Sequence, residues 1–560
     1  MKQMKKIAAI LLALTLILVL AACSGGGKTS NNTTSPSPGT NSPAPSAPAS
    51  TPSPGSPPPP PAPGLLAPGD VIDAPEDDNV TYADSIDCLS EGPVNFLDPH
   101  TPGAGATSTR VLYTMIYNKL INRIEGQGYF PELATSWSSD DMKTWTFKLR
   151  EDDIYFHNGD KFTAQDVVDT VLNGKENPGS MAFDVWRDVA SASVIDKNIV
   201  EIVLNAPNAA FEYSISLPGA SIINVAARSA DPVEGAWVGT GPYKVSKFVS
   251  GDHTTVVRND DYWGGAPITR QVTFHFIPEV AARTIMMQNN EAQLAFHIVQ
   301  TDVPKFIEDK ENYIVYSYLS NACNSLAFNS YDPITSDMNF RMAVAHAVER
   351  TEIAIVAAGD WATPDVEGTY WGFGTEFRNH DIPIIPYNLD LAKEYLAKSV
   401  YNGEEIEIIS GNVECNRAVE MVREQLGKIG IYIKLFQTDA QTINPMTAYG
   451  TKIQMVLYMG DFNSSAGSAR RVFYPNGSSN RASYNNPVVN ELLDKAPSTV
   501  DLKEREAIYR QVQEIVAEDL PYLNLYWMRR SVVTNSKLGG ILINTDLCHD
   551  FRGIFLVVDD

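Results

Sequence analysis

Cysteine is scarce in this chain, with five in 560 residues, too few for a disulfide scaffold. Positive charge is also in deficit. Lys and Arg number 43 against 67 Asp and Glu, for a net charge of −24. A field of that sign repels phosphate backbones and disfavours nucleic acid as a partner. Catalytic signatures are missing too. The eight histidines (His100, His157, His253, His275, His297, His346, His380 and His549) fall in no zinc-ligand spacing. No Gly-x-Ser-x-Gly nucleophile elbow occurs. No residue here is read as catalytic or metal-binding, and neither a cofactor nor an enzyme activity is expected. What remains is 44% hydrophobic and 9% aromatic residues, a globular composition. At roughly 150 residues per domain, the chain beyond the N-terminal segments makes about three domain-sized units.

The N-terminus carries an export signal. Lys2, Lys5 and Lys6 precede an apolar stretch from Ile7 to Leu20, broken only by Thr15. That run is short for a membrane span and has the flanks of a secretion signal. Leu20-Ala21-Ala22-Cys23 resembles the bacterial lipobox, so cleavage is expected after residue 22, with lipid on Cys23. Residues 23–69 then form a tether. Fourteen of the 36 prolines fall between Pro36 and Pro68, and the only charge is Lys28. Such a segment cannot bury a core and favours polyproline II. At ~3.1 Å per residue it could reach on the order of 140 Å. Gly27-Lys28-Thr29 mimics the end of a phosphate loop, but Ala22 stands where the first glycine is required, and no strand or helix frames it.

The body alternates strands and helices, an α/β pattern. Thr144 to Arg150 alternates polar and apolar, as do Val272, Phe274 and Phe276, and Asn198 to Leu204 reads as another strand. Thr163 caps a helix whose apolar face holds Val167, Val168, Val171 and Leu172. Further helices are expected around Phe340–Val348, at Val419–Ile429 with Gly430 as terminator, and over Leu502–Asp519 before Pro521. Glu76-Asp77-Asp78 and Asp152-Asp153 read as solvated surface. Asp260-Asp261 beside Tyr262-Trp263 admits a carbohydrate site, but buried aromatic packing is the plainer reading. Gly103, Ala104 and Gly105, after His100, would let another backbone approach closely. Ile453 to Met459 reads as a buried strand that delivers Gly460 and Asp461 at its end.

Several strings occur in a fixed order over most of this body. They are Leu97-Asp98-Pro99-His100, Pro131-Glu132-Leu133-Ala134-Thr135-Ser136-Trp137, Trp145 to Arg150, Phe156-His157-Asn158-Gly159-Asp160, Gly239-Thr240-Gly241-Pro242-Tyr243, Arg258 to Trp263, and Arg341 to Ala347. Together they resemble the family 5 extracellular solute-binding proteins, the oligopeptide- and dipeptide-binding components of ABC importers. Each string also has a structural reading, as core strand, helix cap or turn.

The resemblance implies a two-lobed periplasmic-binding-protein-like fold (type II, cluster C) with an extra subdomain in lobe I. Lobe I is expected at 70–318, with the subdomain at about 120–205. Lobe II is expected at 319–525, and 526–560 returns to lobe I. It further implies a lipid-anchored, monomeric receptor facing outside the cytoplasm, which closes on a peptide and passes it to permease subunits served by separate ATPases. In such relatives an aspartate placed like Asp461 pairs with the peptide's α-ammonium, and a stretch placed like His100 to Gly105 pairs with its main chain. Nickel complexes, sugars and opines are bound by other relatives, and a sensory lipoprotein is a further alternative. Two departures stand out. Asn290-Glu291-Ala292-Gln293 replaces a Gly-Glu-Ile-Asp turn, and Met459 stands where some relatives have a cysteine. Among Cys88, Cys323, Cys415 and Cys548, the family's placement of both chain ends in lobe I favours a Cys88–Cys548 bridge.

Overall fold

The computed structural model describes residues 65–66 and 70–558, except 76–79, 91, 93, 102–106, 125–126, 179, 374, 412, 439–442, 444–445, 462–464, 478 and 546; at 65–66, 107, 300, 360, 413 and 461 it describes the backbone alone. Its frame is a 12-stranded mixed sheet. From one edge ten strands run Tyr243–Val249, His253–Arg258, Gln271–Phe276, Ser85–Ser90, Leu294–Phe296, Tyr522–Asn535, Tyr313–Phe328, Met455–Asp461, Glu405–Ser410 and Tyr432–Gln437; Leu65–Leu66 and Ala362–Pro364 add to the long strands Tyr313–Phe328 and Tyr522–Asn535 off this path. A separate four-stranded antiparallel sheet comprises Ala134–Ser138, Thr144–Leu149, Ile199–Leu204 and Val189–Asp196.

Residue alternation explains how the sheets are covered. In Thr144–Leu149, Trp145, Phe147 and Leu149 turn inward beside Val200 and Ile202, against Val167, Val171 and Trp186. Where the strands Glu405–Ser410 and Met455–Asp461 pair, over Ile408–Ser410 and Met455–Leu457, both faces are buried. Ile408 and Leu457 enter one core cluster, while their neighbours Ile409 and Val456 enter another on the opposite side. A sheet buried on both faces requires such unbroken apolar runs.

Two long strands join the cored bodies. Tyr313–Phe328 and Tyr522–Asn535 pair antiparallel. At one end Tyr316 and Val532 share a core with Ile86 and Phe274. At the other end Leu326, Leu523 and Leu525 share a core with Ile406 and Val422. Sixteen residues at ~3.3 Å each extend about 50 Å, enough to cross between the two.

Local expectations are met in detail. The Thr163 amide donates to Asp166 Oδ2 at 2.8 Å, the reciprocal bond of a capping box. Gly430 takes φ 87° just past the helix Val413–Gly427. Asn290 supplies the different turn, adopting φ 58° beyond the helix Val280–Gln288. Arg341 is structural, donating to the carbonyls of Thr335 at 2.7 Å and Asp519 at 2.6 Å. Trp263 donates to Asn118 Oδ1 at 3.0 Å under the Arg150 guanidinium, so the Tyr262-Trp263 pair is packing.

Two expectations are corrected. Leu172 is exposed, because Thr170 takes the inward place and bonds the Ile223 carbonyl. The Cys88–Cys548 bridge is not formed, since all four cysteines are thiols. Cys88 lies inside the sheet between Phe274 and Leu294, whereas Cys548 lines a polar cavity with Lys119 and Asp550.

Candidate functional site

The long strand pair loses its register between Leu319 and Cys323. Side chains replace the missing backbone ladder there. Ser320 Oγ donates to the Met528 carbonyl at 3.3 Å and accepts from the Ala322 amide at 3.4 Å. The strand Met455–Asp461 arrives at this irregular stretch, pairing Gly460 with Cys323 and Asp461 with Ala322. Asp461 therefore ends its strand where the chain crosses between the two cored bodies. Its side chain is not among the described atoms. Gly103, Ala104 and Gly105 lie outside the described residues, and so does Cys23.

Gly460 is held by a buried tyrosine cluster. A Cβ at Gly460 would overlap the Tyr370 hydroxyl and stand 3.2 Å from that of Tyr458. The Tyr370 and Tyr458 hydroxyls are 2.9 Å apart, and the Tyr370 ring packs on Tyr522 at 4.7 Å and Phe473 at 5.6 Å. Burial pushes all three tyrosine hydroxyls well up, so they are neutral hydrogen-bonding groups. They form a rigid bed for the strand end.

Two arginines also stand at the crossing. Arg529 and Arg530 are in register with Leu319 and Tyr318 and are half-buried. Arg529 reaches Ser317 Oγ at 3.4 Å, and burial lowers its pKa. Arg530 reaches His297 Nε2 at 3.2 Å and Met459 Sδ at 3.7 Å. Sequence reading missed them. The available signal was two adjacent cations interrupting the apolar run from Tyr522 to Val533, an expensive arrangement without a purpose.

The bodies also touch away from the strands. The Ala209 amide, next to the helix Phe211–Ser216 whose Phe211 packs in the small sheet's core, donates to the Pro497 carbonyl at 2.9 Å. His100, at the head of the glycine segment, is fully buried and bonded to Asn173 Oδ1 at 2.8 Å, and burial takes its pKa down to about 4. Glu132, in the string from Pro131 to Trp137, is likewise internal, accepting from Asn118 and Arg552, each at 2.7 Å. Among the described residues no cluster of three His, Cys, Asp or Glu side chains is disposed to hold a metal.

The described residues thus form cored bodies joined by a strand pair whose ladder is interrupted between Leu319 and Cys323. Residues 128–483 match the model of the bacterial extracellular solute-binding proteins, family 5. The chain belongs to this family. The solute-binding protein is 23% identical over 480 residues to the nickel-binding periplasmic protein of Escherichia coli, covering 80% of this chain and 90% of that one. It is 25% identical over 477 residues to the glutathione-binding protein GsiB of Escherichia coli, covering 81% and 91%. Among solved structures, the substrate-binding protein CtaP of Listeria monocytogenes superimposes with TM-score 0.74 at 22% identity, covering 85% of this chain and 100% of that one. DppA of Helicobacter pylori, solved with a peptide, gives TM-score 0.71 at 22% identity, covering 85% and 98%. The fold is the α/β cluster C binding-protein fold. The solute-binding protein is thus a non-enzymatic, extracytoplasmic component of an ABC transporter.

Proposed function

We propose that this solute-binding protein captures peptides between its lobes and delivers them to ABC permease subunits. The observation that carries the reading is the position of Asp461, at a strand end beside the register break and next to a glycine with no room for a side chain. The string Gly460-Asp461-Phe462-Asn463 supports it by resembling the peptide-binding members. Every unblocked peptide presents an α-ammonium, so one carboxylate at that place would bind peptides whatever their side chains. A charge-assisted bond of ~1.5–3 kcal/mol would serve. Gly103, Ala104 and Gly105 would line the same cleft. We read lobe I as 70–318 with its subdomain at about 120–205, lobe II as 319–525, and 526–560 as the return to lobe I. Cys23 would carry the lipid, and residues 23–69 would hold the body off the membrane.

Asp461→Ala should weaken peptide binding by at least roughly tenfold with the melting temperature unchanged, and N-acetylated peptides should bind poorly to the unaltered protein. Equal binding of acetylated and unblocked peptides in calorimetry would overturn the assignment. Its nickel-binding and glutathione-binding relatives keep a non-peptide solute as the second reading. Mass spectrometry of solute co-purified with the protein decides between them.

A further inference from the structure

Arg530 has an unusual setting. The protein is rich in acid, yet among the described residues no carboxylate pairs with this guanidinium. Its contacts are a ring nitrogen, His297 Nε2 at 3.2 Å, and a thioether, Met459 Sδ at 3.7 Å. Neither neutralises a cation, and the side chain is half-buried, so water only partly does so. A guanidinium carries donors in a fixed fork suited to one planar oxyanion.

His297 is an independent sign at the same place. It has φ 49°, a left-handed backbone unusual for a side-chain-bearing residue. The surrounding structure imposes that conformation. Buried Arg283 donates to the His297 carbonyl from Nε at 3.1 Å and from Nη2 at 2.7 Å, and the His297 amide donates to the Ser531 carbonyl at 3.1 Å. Ser531 is the residue after Arg530, so the strain and the guanidinium are coupled through one strand. Backbone strain held by several bonds is characteristic of functional sites. The location fits as well. Met459 lies in the strand that ends at Asp461, two residues on, or about 7 Å along a strand.

We propose that Arg530, with His297 beside it, is the anion subsite of the cleft and holds a carboxylate of the bound solute. This rests on the solute lying at the strand crossing, but not on its being a peptide. With a peptide, Arg530 would take the C-terminal carboxylate while Asp461 takes the other end.

The test uses the full chain stripped of solute and incubated with yeast extract, either untreated or with its carboxyl groups amidated by ammonia and a carbodiimide. Retained molecules are released with acid and identified by mass spectrometry. The expected result is retention of carboxylate-bearing solutes, lost on amidation, and reduced roughly tenfold to hundredfold in Arg530→Gln. Arg530→Lys should recover part of the retention, because it restores charge without the fork. Arg270→Gln, at an exposed arginine paired with exposed Asp84 away from the crossing, should retain as the unaltered protein does. Melting temperatures of the stripped variants equal to that of the parent establish that the loss is not unfolding. Retention unaffected by amidation and by Arg530→Gln overturns the proposal, as does an equal loss in Arg270→Gln. Retained carboxylates that are not peptides overturn the peptide reading and leave the anion subsite standing. Peptides retained equally well after amidation do the reverse. Retention of nothing overturns both.

Discussion

Substituting Gly460 by alanine adds a single methyl group to the strand that ends at Asp461. The added carbon would overlap the Tyr370 hydroxyl and press on Tyr458, and Tyr370 cannot swing aside. It is 6% exposed and wedged between Phe473 and Tyr522. Overpacking of this kind costs about 1–3 kcal/mol. Tyr370→Phe deletes the oxygen that is struck. On its own it also leaves the Tyr458 hydroxyl, now 2.9 Å from its partner, with one bond fewer, at a cost of about 1 kcal/mol. In the double variant the methyl occupies the space vacated by the oxygen. The two changes should therefore be less harmful together than their sum, with a favourable coupling of roughly 1 kcal/mol or more. Urea denaturation of the four proteins of the cycle measures this. Binding of a solute identified by co-purification reports whether the strand end has moved. Gly460→Ala matching the parent in stability, or a strictly additive cycle, would refute the argument that the tyrosine bed sets the position of the strand end.

Three further outcomes are expected. His157 donates from Nε2 to the Gly241 carbonyl at 3.0 Å and accepts on Nδ1 from the Gly239 amide at 3.3 Å, and burial lowers its pKa from 6.5 to about 4. Between those values the unfolded chain takes up a proton that the folded one refuses. Stability should fall as pH drops from about 6.5 to about 4, by up to roughly 3 kcal/mol; denaturation of His157→Gln across that range should lose this part of the slope, and an unchanged slope would contradict it. Arg378 and Glu367, both nearly inaccessible, pair at 2.7 Å, so Glu367→Gln should cost about 3–5 kcal/mol by stranding a buried cation, read by thermal unfolding. Cys23→Ala should move the protein from the membrane to the soluble fraction on cell fractionation, and persistence at the membrane would place the anchor elsewhere.

Much of this protein is written locally. The signal segment, the lipobox-like string and the proline tether are contiguous patterns whose physics needs no partner. Thr163 with Asp166, Gly430 after its helix, and the alternation of Trp145, Phe147 and Leu149 are likewise short-range, because capping and side-chain period act over a few residues. The ordered strings identify the family for a related reason: they are caps, turns and core positions that any chain with this fold must supply. Asp461 could be read as a strand-end residue. Its pairing with Ala322 could not, because register between strands 139 residues apart depends on how whole cores pack. The bed under Gly460 joins Tyr370, Tyr458 and Tyr522 from three separate segments. Arg530 and His297 are 233 residues apart. From sequence Arg529-Arg530 is merely a charge pair in an apolar strand, and His297 one histidine among eight. Only the tertiary structure puts a guanidinium with no carboxylate partner among the described residues, a left-handed histidine and the Asp461 strand at one crossing, because long-range pairing decides which solvent a side chain loses and what it meets in exchange.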